Sequence, residues 1–309
     1  MTAFDDNPSD PADFNLPPHE SADAPSPAEP PATPLAGDPI TYAASSLPAA
    51  PRAQLALPED LRISWSWPHF ALFIFFAGAS FVVVQTALLF YYAPHQRMSQ
   101  QELERYLLNK PQFIFGSNLL WFGAVLLFLY VTLSVLRDSP FWSSLGWKKF
   151  RPSLSPGRGP WVYFASGCGL AVFVALAGSQ VHTKENMPIE ELFKNRSNAL
   201  LLMAMAVLVA PLVEETVFRG YLYPLFAKSF GIVPGVLVTG ILFGLMHGAQ
   251  LGWTWGIVAL LILVGVIFTF ARAYTGTVLA SFLLHLGYNS MIAVTTIVST
   301  HAFTRVPHP

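Results

Sequence analysis

The sequence predicts an all-α fold: a polytopic transmembrane helical bundle of about seven or eight membrane helices with a disordered N-terminal tail. Three observations predict it. Of 309 residues, 53% are hydrophobic and only 11% charged, against roughly 25% charged in soluble domains. Apolar runs of about 20 residues, long enough to cross a bilayer core, recur from Trp65 onward between short polar loops. Ahead of them, residues 1–64 hold 13 of the 26 prolines, and ten acidic residues against two arginines. A segment of that composition buries too little apolar surface to offset its ordering entropy. The formal net charge of −1 points away from nucleic acid as a partner. Cys168, the sole cysteine, excludes an intrachain disulfide, a cysteine metal cluster and a redox pair, and reads as a buried structural thiol.

Residues 1–64 contain no basic n-region or early apolar h-region, so the first span is expected to direct insertion. That span, Trp65 to Tyr92, is bracketed by Trp65, Trp67, Tyr91 and Tyr92 as by an aromatic belt, and His69 at its edge reads as structural. A polar loop, Ala93 to Gln112, precedes a second span from about Phe113 to Leu136. The next loop carries Arg137, Lys148, Lys149, Arg151 and Arg158 against Asp138 alone. The positive-inside rule makes it cytoplasmic, and two intervening spans put the N-terminal tail on the same side. Residues 65–140 are therefore read as N-terminal membrane helices, 141–298 as a core and 299–309 as a C-terminal tail.

Within the core, Trp161 to Val181 is a third span, with Gly167, Gly169 and Gly178 available for close helix approach. His182 to Asn198 is an outer loop of mixed charge. The fourth span, Ala199 to Val213, is expected to kink at Pro211 and to continue as an amphipathic stretch, Glu214 to Phe230. The fifth, Val233 to His247, has Gly240, Gly244 and Gly248 as a small-residue stripe on one helical face. The sixth runs from Trp253 to Phe270, a turn from Ala271 to Gly276, and the seventh from Thr277 to Val298. His301 and His308 fall in the C-terminal tail, which shows no lipidation signal, and read as solvated.

From Ala199 to Val298 the ionisable side chains reduce to Glu214, Glu215, Arg219, Lys228, His247, Arg272 and His285. Charge at membrane depth costs several kcal/mol, so such groups usually face a protein interior or a wet cavity. Lys228 and Arg272 lie near span ends and read as snorkelling anchors. The rest form three islands: Glu214-Glu215-x-x-x-Arg219, Phe243-x-x-x-His247 and His285-x-x-x-Asn289. Residues four apart share a helical face, which couples Glu215 with Arg219 and His285 with Asn289. Glu214, turned by about 100°, is left to meet His247.

A carboxylate and a histidine converging away from bulk water can hold and deprotonate a water molecule, while a second histidine and an amide can donate to a developing oxyanion. Those are the parts of a peptide hydrolase without a serine or cysteine nucleophile. Glu214, His247 and His285 equally match the two-histidine, one-carboxylate ligand set of hydrolytic zinc sites. On residue types alone, metal-free catalysis and a divalent metal such as zinc both stay open. The bland alternative, that these groups only bond helices together, fits any one island better than it fits all three.

Together EETVFRG, FGLMH and HLGYN, in that order, resemble the CPBP intramembrane proteases, which include the type II CAAX prenyl proteases and bacteriocin-processing and immunity-related members. Phe141-Trp-Ser-Ser-Leu-Gly-Trp also resembles the loop preceding that family's core, so the likeness spans roughly 141–298. It implies an intramembrane endopeptidase in which Glu214 and His247 activate water, His285 and Asn289 stabilise the oxyanion, and Glu215 and Arg219 support the site. It also implies a peptide or protein substrate, in some members lipid-modified, met in the membrane lipid. The rival readings are a non-proteolytic scaffold or bacteriocin self-immunity protein, and a small transporter using Glu and His as a proton relay. Transport would favour an inverted internal repeat, and none is evident.

Overall fold

The computed structural model describes residues 58–94, 98–150, 159–181 and 195–303, and no strand occurs among them. The expected tail up to residue 57, Arg151 and Arg158 of the basic loop, the outer loop from 182 to 194, and the end from 304 with His308 lie outside the described residues.

Pro58 to Ser64, counted with the tail from its composition, packs onto the helices instead. Glu59–Leu61 forms a 3-10 turn. Leu61, only 2% exposed, joins a cluster with Tyr223, Ala227 and Val236. Beside it Asp60 forms an ion pair with Arg272 at 2.9 Å.

Helix α1, Trp67–Tyr92, takes Pro68 in its first turn, where the missing N–H removes nothing. The loop expected between the first two spans contains a short helix, α2, Gln100–Leu108. Its start is a capping box the sequence reading passed over: the Ser99 hydroxyl accepts from the Glu102 amide, while the Glu102 carboxylate accepts from Ser99. Helix α3, Pro111–Tyr130, runs on through a π-helical turn, Val131–Val135. A single helical turn, α4, Phe141–Ser144, follows, and then α5, Trp161–Gly178.

The fourth span starts at Arg196, three residues earlier than expected, because the Asn195 side chain caps it by accepting from the amides of Ser197 and Asn198. It comprises α6 (Arg196–Leu208), α7 (Ala210–Glu215), a π-helical stretch (Thr216–Leu222) and α8 (Tyr223–Phe230). The break between α6 and α7 falls at Val209, two residues before Pro211, as expected where proline removes a backbone donor. Helix α9 is Ile232–Met246, α10 Trp255–Thr275 and α11 Val278–Ser299.

Six of these helical runs are long and apolar enough to cross a membrane, and Ile232–Met246 is a shorter apolar helix. Their outer faces carry bare aromatics such as Phe75 and Phe90, 73% and 79% exposed, which suit hydrocarbon rather than water. The chain is an integral membrane protein of helical-bundle class.

One expectation at the end of the sixth span is corrected. The helix does not stop at Phe270 but continues to Thr275, where Gly276, at φ 71°, provides the left-handed cap. Arg272 is thereby one further turn inside the protein, 1% exposed and paired with Asp60, so it is no snorkelling anchor. Lys228 does sit exposed near a helix end, with its ammonium 3.5 Å from the Ile63 carbonyl.

The small-residue stripes act selectively. Gly240 and Gly244 lie against the Val266 and Ile262 backbones of α10, as the stripe predicts, whereas Gly248 meets the Trp253 ring in the following turn. Of the three glycines on α5, Gly167 packs against the backbone of α11, Gly178 meets the side chains of Ile257 and Leu260 of α10 at ordinary contact distance, and Gly169 faces open space. Cys168 is half-buried beside that contact, its thiol 3.4 Å from the Gly287 carbonyl.

Candidate active site

The paired carboxylates are the last two residues of α7, immediately before the π-helical stretch. Extra residues in a helical turn recur at functional sites because they re-aim side chains. Just ahead of such a turn, two neighbours set about 100° apart on the helix meet different fates. Glu215 is fully buried, while a fifth of the Glu214 side chain is exposed.

Glu215 is held on one oxygen by two partners. Arg219 Nη1 lies 2.8 Å from Glu215 Oε1, and His285 Nδ1 lies 2.9 Å from the same oxygen. Arg219 is itself enclosed: its Nε donates to Thr269 Oγ1 at 3.2 Å and its Nη2 to the Gly265 carbonyl at 2.9 Å. The guanidinium lies over the rings of Phe243, at 4.4 Å, and Phe268, at 5.3 Å. A buried charge with this many partners avoids the desolvation penalty an unpaired one would bear.

A carboxylate oxygen can only accept, so in the neutral ring His285 carries its proton on Nδ1 and leaves the lone pair on Nε2. Nε2 faces Glu214 Oε2 at 3.8 Å, too long for a direct hydrogen bond and of a span that a shared water or substrate atom suits. The other histidine obeys the same logic. His247, just past the end of α9, uses Nδ1 on the Phe243 carbonyl at 2.8 Å, so its Nε2 also keeps a lone pair. The Phe243 ring separates the two, its centroid 4.9 Å from the His247 ring and 5.7 Å from the His285 ring.

Asn289 does not stand free beside His285. Its Nδ2 donates to the Ala206 carbonyl at 2.7 Å, tying α11 to α6 and leaving the second amide hydrogen uncommitted. The structure therefore brings Glu214, Glu215, Arg219 and His285 into one network, with His247 across the Phe243 ring and Asn289 one turn beyond His285. It does not pair Glu214 with His247 by direct contact: the histidine against Glu214 is His285.

Nor do Glu214, His247 and His285 gather as metal ligands. Among the described residues no group of three or more His, Cys, Asp or Glu side chains is arranged to hold an ion.

Four participants were missed from sequence. Thr269 and Gly265 hold Arg219 but sit in an apolar run where a threonine and a glycine carry no charge to flag them. Ser281, one turn before His285, is buried facing the Glu215 carboxylate; the repeat Ser281, His285, Asn289 at intervals of four was legible and passed over. Thr216, beside Glu215, is fully buried and accepts a hydrogen bond from the Trp147 indole at 3.1 Å.

No curated protein and no solved structure matches the chain. One protein family does. Residues 196–291, the segment that contains Glu214, Glu215, Arg219, His247, His285 and Asn289, match the model of the family described as Type II CAAX prenyl endopeptidase Rce1-like.

Proposed function

We propose that the protein is an intramembrane endopeptidase in which Glu214 is the general base toward a water molecule. The observation that carries this is the contrast within the pair: Glu215 is buried and committed to Arg219 and His285, whereas Glu214 is accessible and faces a histidine nitrogen. A water between Glu214 Oε2 and His285 Nε2 would give up a proton to Glu214 as its oxygen attacks the scissile carbonyl, with His247 across the Phe243 ring. The resulting oxyanion would take a hydrogen bond from the free Asn289 amide hydrogen, and a second from His285 Nε2 through the proton that Glu214 shares with it. Collapse breaks the C–N bond, and the proton held on Glu214 passes to the leaving amine, which releases an acid and an amine. Glu215 and Arg219 hold the imidazole in register rather than react.

The matched family supports a peptide or protein substrate at the membrane, and its description makes a prenylated C-terminal peptide the first candidate. The basic residues Arg137, Lys148 and Lys149 favour a cytoplasmic loop after α3, and with it a cytoplasmic N-terminal tail. The test compares purified wild type with Glu214→Gln on quenched peptides with and without a prenyl group, in detergent and in vesicles. Cleavage by wild type and a loss of about a thousandfold in the variant are expected. Cleavage by Glu214→Gln at the wild-type rate refutes the assignment.

A further inference from the structure

The loop Leu145–Lys148 touches both helices that carry the network, and it does so through specific bonds. On the side of the carboxylates, the Leu145 carbonyl presses on Gly220, where an added Cβ would lie 2.8 Å from that oxygen. Trp147 Nε1 donates to Thr216 Oγ1 at 3.1 Å, and that hydroxyl donates in turn to the Leu212 carbonyl at 2.7 Å. On the side of the histidine, the Val278 amide donates to the Gly146 carbonyl at 2.9 Å, and Thr277 Oγ1 to the Lys148 carbonyl at 2.6 Å. The Trp147 ring also meets Phe282 edge to face at 5.3 Å.

The loop is seated from below as well. Gly146, at φ 79°, is in the left-handed region, and a Cβ there would come within 2.8 Å of Arg272 Nη2. Arg272 is fixed by Asp60 and lies over the Tyr223 ring. A chain segment bonded at its two sides to Thr216 and to the first turn of α11 sets the distance between those elements. That distance is the one across which Glu215 and Glu214 meet His285.

We infer that Leu145–Lys148 is a clamp that sets the separation of the carboxylate and histidine helices, and that Trp147 is a positioning residue acting on the Glu214–His285 gap through Thr216. This rests on the endopeptidase reading for its effect on rate, and on the geometry alone for its effect on His285. Trp147→Phe keeps an aromatic ring beside Phe282 and removes the N–H donor along with part of the indole's volume. Thr216→Val removes the acceptor.

The experiment measures kcat and KM for both variants and their double mutant, together with the 15N imidazole resonances of histidine-labelled protein, with His285 assigned by its loss in His285→Asn. The expected result is a fall of about tenfold in kcat with KM nearly unchanged, a moved His285 resonance, and a double mutant no worse than the worse single. Unchanged kcat with an unmoved His285 resonance overturns the inference. A raised KM at constant kcat also overturns it, because Trp147 would then be a substrate contact. If wild type and Glu214→Gln behave alike toward every peptide, the endopeptidase reading fails, and the His285 resonance in Trp147→Phe alone decides whether the clamp holds.

Discussion

His285 Nδ1 donates a 2.9 Å hydrogen bond to Glu215 Oε1, the oxygen that Arg219 holds from the other side at 2.8 Å. The imidazole is thereby fixed in rotation and tautomer by a carboxylate that is itself immobile. The consequence is directional: Nε2 is aimed at Glu214 before any substrate arrives.

Glu215→Gln tests that relation. The amide retains the size of the side chain but is a weaker acceptor, and in one of its two orientations it presents N–H to the ring. A loss of about tenfold to a hundredfold in kcat is expected, with KM little changed, since the defect lies in orientation rather than binding. A steady-state comparison with Glu214→Gln should find the Glu214 change the more damaging. Equal or reversed losses would mean that the buried carboxylate takes part in proton transfer directly.

Arg219→Ala should act on the fold itself. It strands Glu215 without its cation, empties the space over Phe243 and Phe268, and removes one of the donors to the Gly265 carbonyl. Removing one partner of a buried pair destabilises by about 3–5 kcal/mol. Thermal unfolding in detergent measures it. Arg219→Lys should recover only part of the stability, because an ammonium cannot reproduce the fork that reaches Glu215, Thr269 and Gly265 together.

Much of this network was legible in the sequence because membrane spans make ionisable residues conspicuous. Glu215 with Arg219 follows from their spacing of four, and the break before Pro211 follows from proline's missing donor. What the spacing could not show is which histidine meets Glu214. That depends on the depth at which α11 packs against the carboxylate helix, set by contacts such as Asn289 to Ala206 and the clamp at Trp147. Arg272 was misread for a related reason. A charge near a span end looks like an anchor until a distant acid, Asp60, is found against it, and that acid lay in a stretch whose composition resembled the tail.

Chelation provides a further check, since the side chains that sequence offered as a zinc set do not converge. Cleavage should persist after dialysis against EDTA or phenanthroline, and the purified protein should contain well under one equivalent of transition metal. Loss of activity on chelation, restored by added zinc, would require Glu214, His247 and His285 to move together into a ligand sphere.

The packing of α5 on α11 provides the last test, with one glycine taken from each helix. A Cβ at Gly287 would stand 2.1 Å from the Phe164 carbonyl, a backbone atom that cannot swing aside, whereas one at Gly169 meets nothing within 4 Å. Gly287→Ala must therefore push the helices apart, at a cost of about 1–3 kcal/mol or more. Gly169→Ala should be neutral or stabilising by up to about 1 kcal/mol, because alanine favours a helix interior more than glycine does. Gly287 sits between His285 and Asn289, so its variant should lose activity along with stability, while the Gly169 variant keeps both. Unfolding temperatures and cleavage rates for the two proteins decide it: a harmless Gly287→Ala would mean that α5 and α11 are not in the close contact that holds His285 against the carboxylates.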